Sequence, residues 1–282
     1  MYSLKIENKA GQQFELTSNE ARYQVTKIDG LNPPPAVITS AGVAGMDGSR
    51  FASAKLGERN LVLYVKINGD VETNRIFLYR FFKTKQYCKI YYENETRSVY
   101  AEGYVETIEC DLFENGQMMQ ISIVCNDPYL KALEEIEHEL SLIIGAFTFP
   151  FAIEEPIEFS YYEHDMLTTI AYDGDAESGF IIEIQAGGSV TNPSIYKVGT
   201  GEQMSINVTM VQGDLLRINT NKGEKSIEFT HNGVTTNYLR NLQRGSSWLS
   251  LDIGDNQFTC DADSGEEMMQ IVFKYRTKYE GV

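Results

Sequence analysis

The acidic stretch DADSGEE places Asp261, Asp263, Glu266 and Glu267 within seven residues, the nearest the chain comes to a paired-carboxylate site. Glycoside hydrolysis needs one carboxyl with a raised pKa facing an ionised partner across the scissile bond. These four acids instead share one glycine-containing turn, where water solvates them, so a plain acidic turn is expected. The DGD of 173–175 and the same DADSGEE are rich in oxygen ligands for calcium. Neither has the twelve-residue ligand spacing of a helix-loop-helix site. Cys88, Cys110, Cys125 and Cys260 form no C-x-x-C pair, and His138, His164 and His231 stand far apart. No zinc site follows from that spacing. Nucleophile-elbow, phosphate-loop and H-E-x-x-H patterns are all missing. Trp248, the one tryptophan, lies in GSSWLSLDIG and could stack on a sugar or be buried. No enzyme activity and no cofactor or metal are expected.

The elements that would position any site are read from pattern. A length of 282 residues suits two domains, and 17 Tyr and 14 Phe favour β-structure. No apolar run reaches membrane-spanning length and the first residues lack a basic, then apolar, leader, so neither anchor nor export signal is expected. The net charge of −16 opposes a nucleic-acid partner. The charge is divided as 15 basic and 20 acidic residues over 1–145 (net −5) and 9 and 20 over 146–282 (net −11). Four scattered cysteines fit a reducing compartment, and Cys125, on one strand face with Ile121 and Ile123, reads as a small buried hydrophobe.

Along the chain, SLKIENKAGQQFEL reads as a hairpin around Ala10-Gly11, and RNLVLYVKI as a strand with Leu61, Leu63, Val65 and Ile67 on one side. Between them, the glycines at 42, 45, 48 and 57 suggest an exposed loop or hairpin arm over about 36–59. VETNRIFLYRFFKTK predicts a helix capped by Thr73 or Asn74, with Ile76, Phe77, Tyr79 or Arg80, and Phe81 on one side. A β-meander is expected over 87–93, 97–111 and 117–125. QISIVCNDPYLKALEE then changes from strand to helical period at Cys125-Asn126-Asp127-Pro128. Asp127 as cap and Pro128 at the first turn would start a connecting helix, with Leu130, Leu133, Ile136, Leu140 and Ile143 on one face. The resulting plan is an N-terminal, mainly β domain over 1–130, a helical linker over 131–150 and a C-terminal β-sandwich domain over 151–282. In the last, turn signals every 8 to 12 residues separate segments such as FIIEIQA, SINVTMV and SWLSLDI.

Several phrases together resemble the distal tail proteins of long-tailed phages and prophages of Gram-positive bacteria. They are GMDGSRFASAKLGERNLVL, NRIFLYRFF, AEGYVETIE, the Cys125-Asn126-Asp127-Pro128-Tyr129 stop, Asn192-Pro193, Gly213-Asp214, Ile218-Asn219-Thr220 and WLSLDIGDNQF. The resemblance implies a mainly β protein of two sandwiches: the first with a helix and an extended arm, the second galectin-like. It implies a virion structural protein of the tail tip or baseplate, assembled in the host cytoplasm. Six copies would form a ring joining the tail tube protein to a tail-associated hub or fibre protein, and the second domain could carry receptor-binding proteins. Head-to-tail closure needs two unlike patches, here the arm and the body carrying strands 87–125, with Asp47, Arg50 and Arg59 as polar contacts. A carbohydrate-binding module for attachment to the host surface is the alternative. A galectin-type sugar site needs a His, Asn, Arg and Trp constellation, whereas His231-Asn232-Gly233 reads as a turn and Trp248 has no evident Arg beside it.

Overall fold

The protein is described here as a computed structural model, covering residues 2–17, 22–45, 47–113, 116–140, 143–145, 160–162 and 167–282. The chain forms two compact units, residues 1–134 with 278–282 and residues 135–277.

The first unit contains β1 (Ser3–Asn8), β2 (Gln13–Glu15), β3 (Tyr23–Asp29), β4 (Ala36–Gly42), β5 (Ser49–Leu56), β6 (Arg59–Ile67), α1 (Val71–Phe81), β7 (Tyr87–Glu93), β8 (Ser98–Cys110), β9 (Met118–Cys125) and β10 (Leu130–Ala132). Its main sheet runs β2-β1-β7-β8-β9-β6-β3. Strict alternation explains the buried face: Leu61, Leu63 and Val65 of β6 oppose Ile123, Ile121 and Met119 of β9, and Ile67 and Cys125 continue the same face, all buried. At the sheet's two ends, Phe14 of β2 meets Tyr23 of β3 with ring centroids 5.3 Å apart. Phe81 of α1 lies 5.4 Å from Phe14 and the Tyr23 hydroxyl donates to the Asn74 carbonyl, so the helix is held where the edge strands converge.

The helix exists where the sequence predicts it but is capped and faced differently. Asp70 is the N-cap, its carboxylate accepting from the Thr73 N–H at 3.4 Å, while Asn74 is buried and donates to the Asn68 carbonyl. Asn74, Leu78 and Phe81 form the buried stripe; Ile76, Phe77 and Tyr79 are exposed. The converging edge strands select the inner face, and the helix's own composition does not.

The connecting helix is corrected. Instead of a helical linker over 131–150, the chain forms β10 and then β11 (Ile136–Leu140) and β12 (Ile143–Gly145). Asp127 accepts from the Tyr129 N–H in a local turn, with no helix following it. Apolar residues at 130, 136 and 140 satisfy a strand period as well as a helical one. Ladder partners were available in β8 for β10 and far along the chain for β11, and tertiary pairing decided. Residues 146–156, which include Pro150 and Pro156, lie outside the described residues, as do Met46 of the arm and Glu114-Asn115 of the β8–β9 turn.

The second unit continues with β13 (Ser160–Tyr162), β14 (Leu167–Tyr172), β15 (Ile181–Ala186), β16 (Val190–Thr191), β17 (Ser194–Lys197), β18 (Glu202–Ser205), β19 (Thr209–Met210), β20 (Leu215–Asn219), β21 (Ser226–His231), β22 (Val234–Asn237), β23 (Gly254–Asp261) and β24 (Met269–Tyr275). A sheet ordered β11-β24-β15-β20-β21-β22 faces one ordered β14-β23-β17-β18 across a single core. Phe258 of β23 lies 5.4 Å from Phe273 of β24 and 5.5 Å from Phe180, which ties the two layers together. SWLSLDI makes no strand; it is joined to its neighbours by the isolated bridge Ser178–Leu251 and by the Ser247 N–H, which donates to the Gln203 carbonyl at 2.7 Å. The buried Lys197 ammonium takes the Ser250 carbonyl at 2.8 Å and the Asp252 carboxylate at 2.7 Å, and the Asn256 amide donates to the Asp252 and Gly254 carbonyls, fixing that loop without a ladder. The last strand, β25 (Lys278–Tyr279), belongs to the first unit and pairs with β10.

Burial pushes the thiols of Cys88, Cys125 and Cys260 up to about 12. In the unfolded chain they ionise near the ordinary value of 9. Folded thiols thus hold protons that unfolded ones lose. This contribution to stability is intact below pH 9 and is lost as pH rises towards 12. A thiol reagent at pH 8 is expected to modify partly exposed Cys110 first, and the other three only after denaturation.

Candidate functional site

Strands β4 and β5 pair only with each other, from Ala36↔Leu56 to Gly42↔Ser49, with a register shift at Thr39/Ser40. Every residue of the two strands except half-buried Leu56 is exposed. The turn between them uses Gly45 and Gly48 at φ of +82° and +91°, a conformation that side chains other than glycine rarely adopt. The register puts Ile38, opposite Ala54, and Phe51, opposite Ser40, on one face. Ile38 is 67% and Phe51 64% exposed, and Val37 and Val43 are also exposed. A two-stranded hairpin without a packed face is marginal in water. One that exposes an isoleucine and a phenylalanine side by side has the character of an interaction surface.

Asp47 and Arg50, the two arm residues expected as polar contacts, lie on the hairpin itself. Both are exposed, Asp47 in the turn and Arg50 on β5 opposite Ala41. Arg59 does not. It is 2% exposed, inside the first unit at the start of β6. Its Nε donates to the Pro128 carbonyl at 2.7 Å and Nη2 to the Glu280 carbonyl at 2.6 Å. Nη1 donates to the carbonyls of Asn32, at 3.0 Å, and of Gly30. Burial lowers its pKa from the ordinary value, and nearby Cys125, Asp127 and Glu280 oppose that shift. Its reassignment has a plain cause: the planar guanidinium reaches several carbonyls at once, and those carbonyls come from segments distant in sequence. The residue clamps both feet of the arm, since Gly30 and Asn32 precede β4 and Arg59 itself follows β5.

Gly30 shows how tight that base is. Its φ is +91° and an added Cβ would lie 2.0 Å from the Asn60 carbonyl oxygen. Gly30→Ala is expected to cost about 2–4 kcal/mol in chemical denaturation of the first unit, because neither backbone can yield freely.

Other exposed apolar residues on the first unit include Ile76, Phe77 and Tyr79 of α1, and Tyr104, Leu112 and Phe113 of the β8–β9 hairpin.

In the second unit the four acids of DADSGEE are spread from the end of β23, at Asp261, to a short 3-10 turn that holds Glu266 and Glu267. Asp261 accepts from the Ala262 N–H, and Asp263 accepts from the Asn192 amide at 2.7 Å. His231 Nδ1 lies 2.8 Å from the buried Asp214 carboxylate, and Nε2 lies 2.9 Å from the Asn232 amide. Asn232 and Gly233 have φ of +49° and +76°, which makes them the β21–β22 turn. Trp248 packs on the core, with the Lys225 ammonium 5.1 Å from its ring centroid. Both candidate sugar contacts are thus engaged within the chain. Among the described residues no three His, Cys, Asp or Glu side chains gather as metal ligands.

Residues 173–279 match the family described as siphovirus-type tail component, C-terminal domain. The match lies almost entirely within the second unit. No curated protein sequence matches the chain. The fold of the whole chain is that of the SPP1 phage Dit protein, described as a paradigm of the hub of the adsorption apparatus in phages infecting Gram-positive bacteria. The TM-score is 0.72 at 13% identity, with 98% of each chain covered. The phage p2 baseplate in its activated conformation contains a similar chain, at TM-scores of 0.56 with strontium and 0.54 with calcium, 13% and 12% identity, and full coverage of both chains. The family match falls in the second unit, and the likeness of fold extends through the arm-bearing first unit.

Proposed function

We propose that this chain is the distal tail protein of a long-tailed phage or prophage, a non-enzymatic hub of the tail tip. Six copies close into a ring that joins the tail tube above to a tail-associated hub or fibre protein below. The tail-component domain, a galectin-like sandwich, supplies the side that carries receptor-binding proteins. The observation that carries this reading is the whole-chain fold shared with a phage adsorption hub, together with the family match of the second unit. The exposed arm supports it. Head-to-tail closure needs a patch on each subunit that its own fold leaves unsatisfied, and Ile38 and Phe51 provide one. Asp47 and Arg50 act as polar contacts at its rim.

Light scattering of the purified full-length protein on a sizing column, with negative-stain images of the peak, tests the ring. A mass of six or twelve subunits with a central hole is expected. A strict monomer at high concentration that stays monomeric when mixed with tail tube protein would overturn the proposal.

A further inference from the structure

The first unit is discontinuous. Residues 278–282 complete it, although the whole of 135–277 intervenes. β25 pairs with β10 through Leu130↔Tyr279 and Lys131↔Lys278. The Glu280 carbonyl accepts from Arg59, and the Gly281 carbonyl accepts from Arg97, whose guanidinium lies 4.1 Å from the Tyr279 ring centroid. The Val282 N–H donates to the Leu31 carbonyl at 3.3 Å, and Tyr279 and Val282 pack on the first core. Gly281 lies so close to Pro33 that an added Cβ would meet its Cδ at 2.9 Å. These five residues therefore touch the segment 31–33, from which the arm departs, and share the Arg59 clamp.

Pairing β25 with β10 closes a loop. With the second unit unfolded, that loop runs from Lys131 to Lys278. With it folded, the β11–β24 ladder already pairs Ile136 with Tyr275. Only residues 132–135 and 276–277 then separate that pair from Lys131 and Lys278. Loop-closure entropy scales so that this shortening favours the pairing by about 10²-fold.

We propose that residues 278–282 are a strap through which folding of the second unit completes the first, so that the feet of the arm are fixed only in a chain whose second unit has folded. A chain that is broken or misfolded in its second unit therefore presents a loosened arm base, which ties assembly competence to the integrity of the whole polypeptide.

Hydrogen exchange measured by mass spectrometry on the full chain tests this with Ile184→Ala, which weakens the second core at a residue remote in sequence from the strap. Its companions are deletion of 278–282 and the combination of both changes. Ile184→Ala is expected to raise exchange of peptides spanning 28–32 and 129–133 together with that of β15, by up to about 10²-fold. Deletion alone should raise the same two peptides, and adding Ile184→Ala to it should raise them no further. Wild-type exchange at 28–32 and 129–133 in Ile184→Ala, while β15 opens, would overturn the proposal. So would an equal effect of Ile184→Ala with and without the strap. If Ile184→Ala leaves no folded second unit, Ile184→Val gives the graded version of the same comparison.

Discussion

Arg59→Ala is expected to destabilise the first unit by about 3–5 kcal/mol, the range for removing one partner from a buried charged network. The side chain is 2% exposed and its bonds go to the carbonyls of Gly30, Asn32, Pro128 and Glu280. Truncation leaves those carbonyls facing a cavity, and each that water cannot reach bears its own desolvation penalty. Arg59→Lys is no remedy, because one ammonium cannot address the carbonyls of three separate segments in a plane; about half the loss should remain. The measurement is the denaturant midpoint of the first unit, followed by exchange at 28–32. The second unit's midpoint should fall by less, by no more than its coupling to the first through the strap. An Arg59→Ala protein as stable as wild type would mean that the four bonds contribute nothing net.

The double substitution Ile38→Ser with Phe51→Ser should leave the folded protomer intact and abolish self-association. Neither side chain is buried in the protomer, so its stability should change by no more than about 0.5 kcal/mol. In an assembled ring each would be desolvated. Fully burying an isoleucine or phenylalanine contributes about 1.5–3 kcal/mol, and the pair recurs at every interface. Two such losses weaken each contact by about 10²- to 10⁴-fold. Size-exclusion mass at matched concentration reads the result. Rings that persist in the double variant would move the interface away from the arm, towards the other exposed apolar residues of α1 and the β8–β9 hairpin.

Much of the first unit is legible in the chain because its signals are local. Alternation over RNLVLYVKI and QISIVC fixes which side chains of β6 and β9 are inward, and Cys125 lies with Ile121 and Ile123 as that period requires. The glycines around 42–57 mark an arm that cannot pack on its own body, and the structure leaves it exposed. Length and turn density likewise announce a β-rich second half, and its family signature lies in the sequence of 173–279.

Other features depend on residues far apart in sequence. Nothing local distinguishes a clamp arginine from a surface arginine, so Arg59 reads as an arm contact until Gly30, Pro128 and Glu280 converge on it. The face of α1 is chosen by Phe14 and Tyr23, not by the helix's own aromatic content. The segment after Pro128 carries both a helical and a strand period, and β24, more than 130 residues later, resolves it by offering a ladder. By itself, the sequence determined the β class, the strands with clean alternation and the presence of an arm, because period and backbone preference act over a few residues. Only the tertiary structure decided the role of Arg59, the strand pairing after Pro128 and the return of 278–282, because these depend on hydrogen bonds whose partners meet only once the chain has folded.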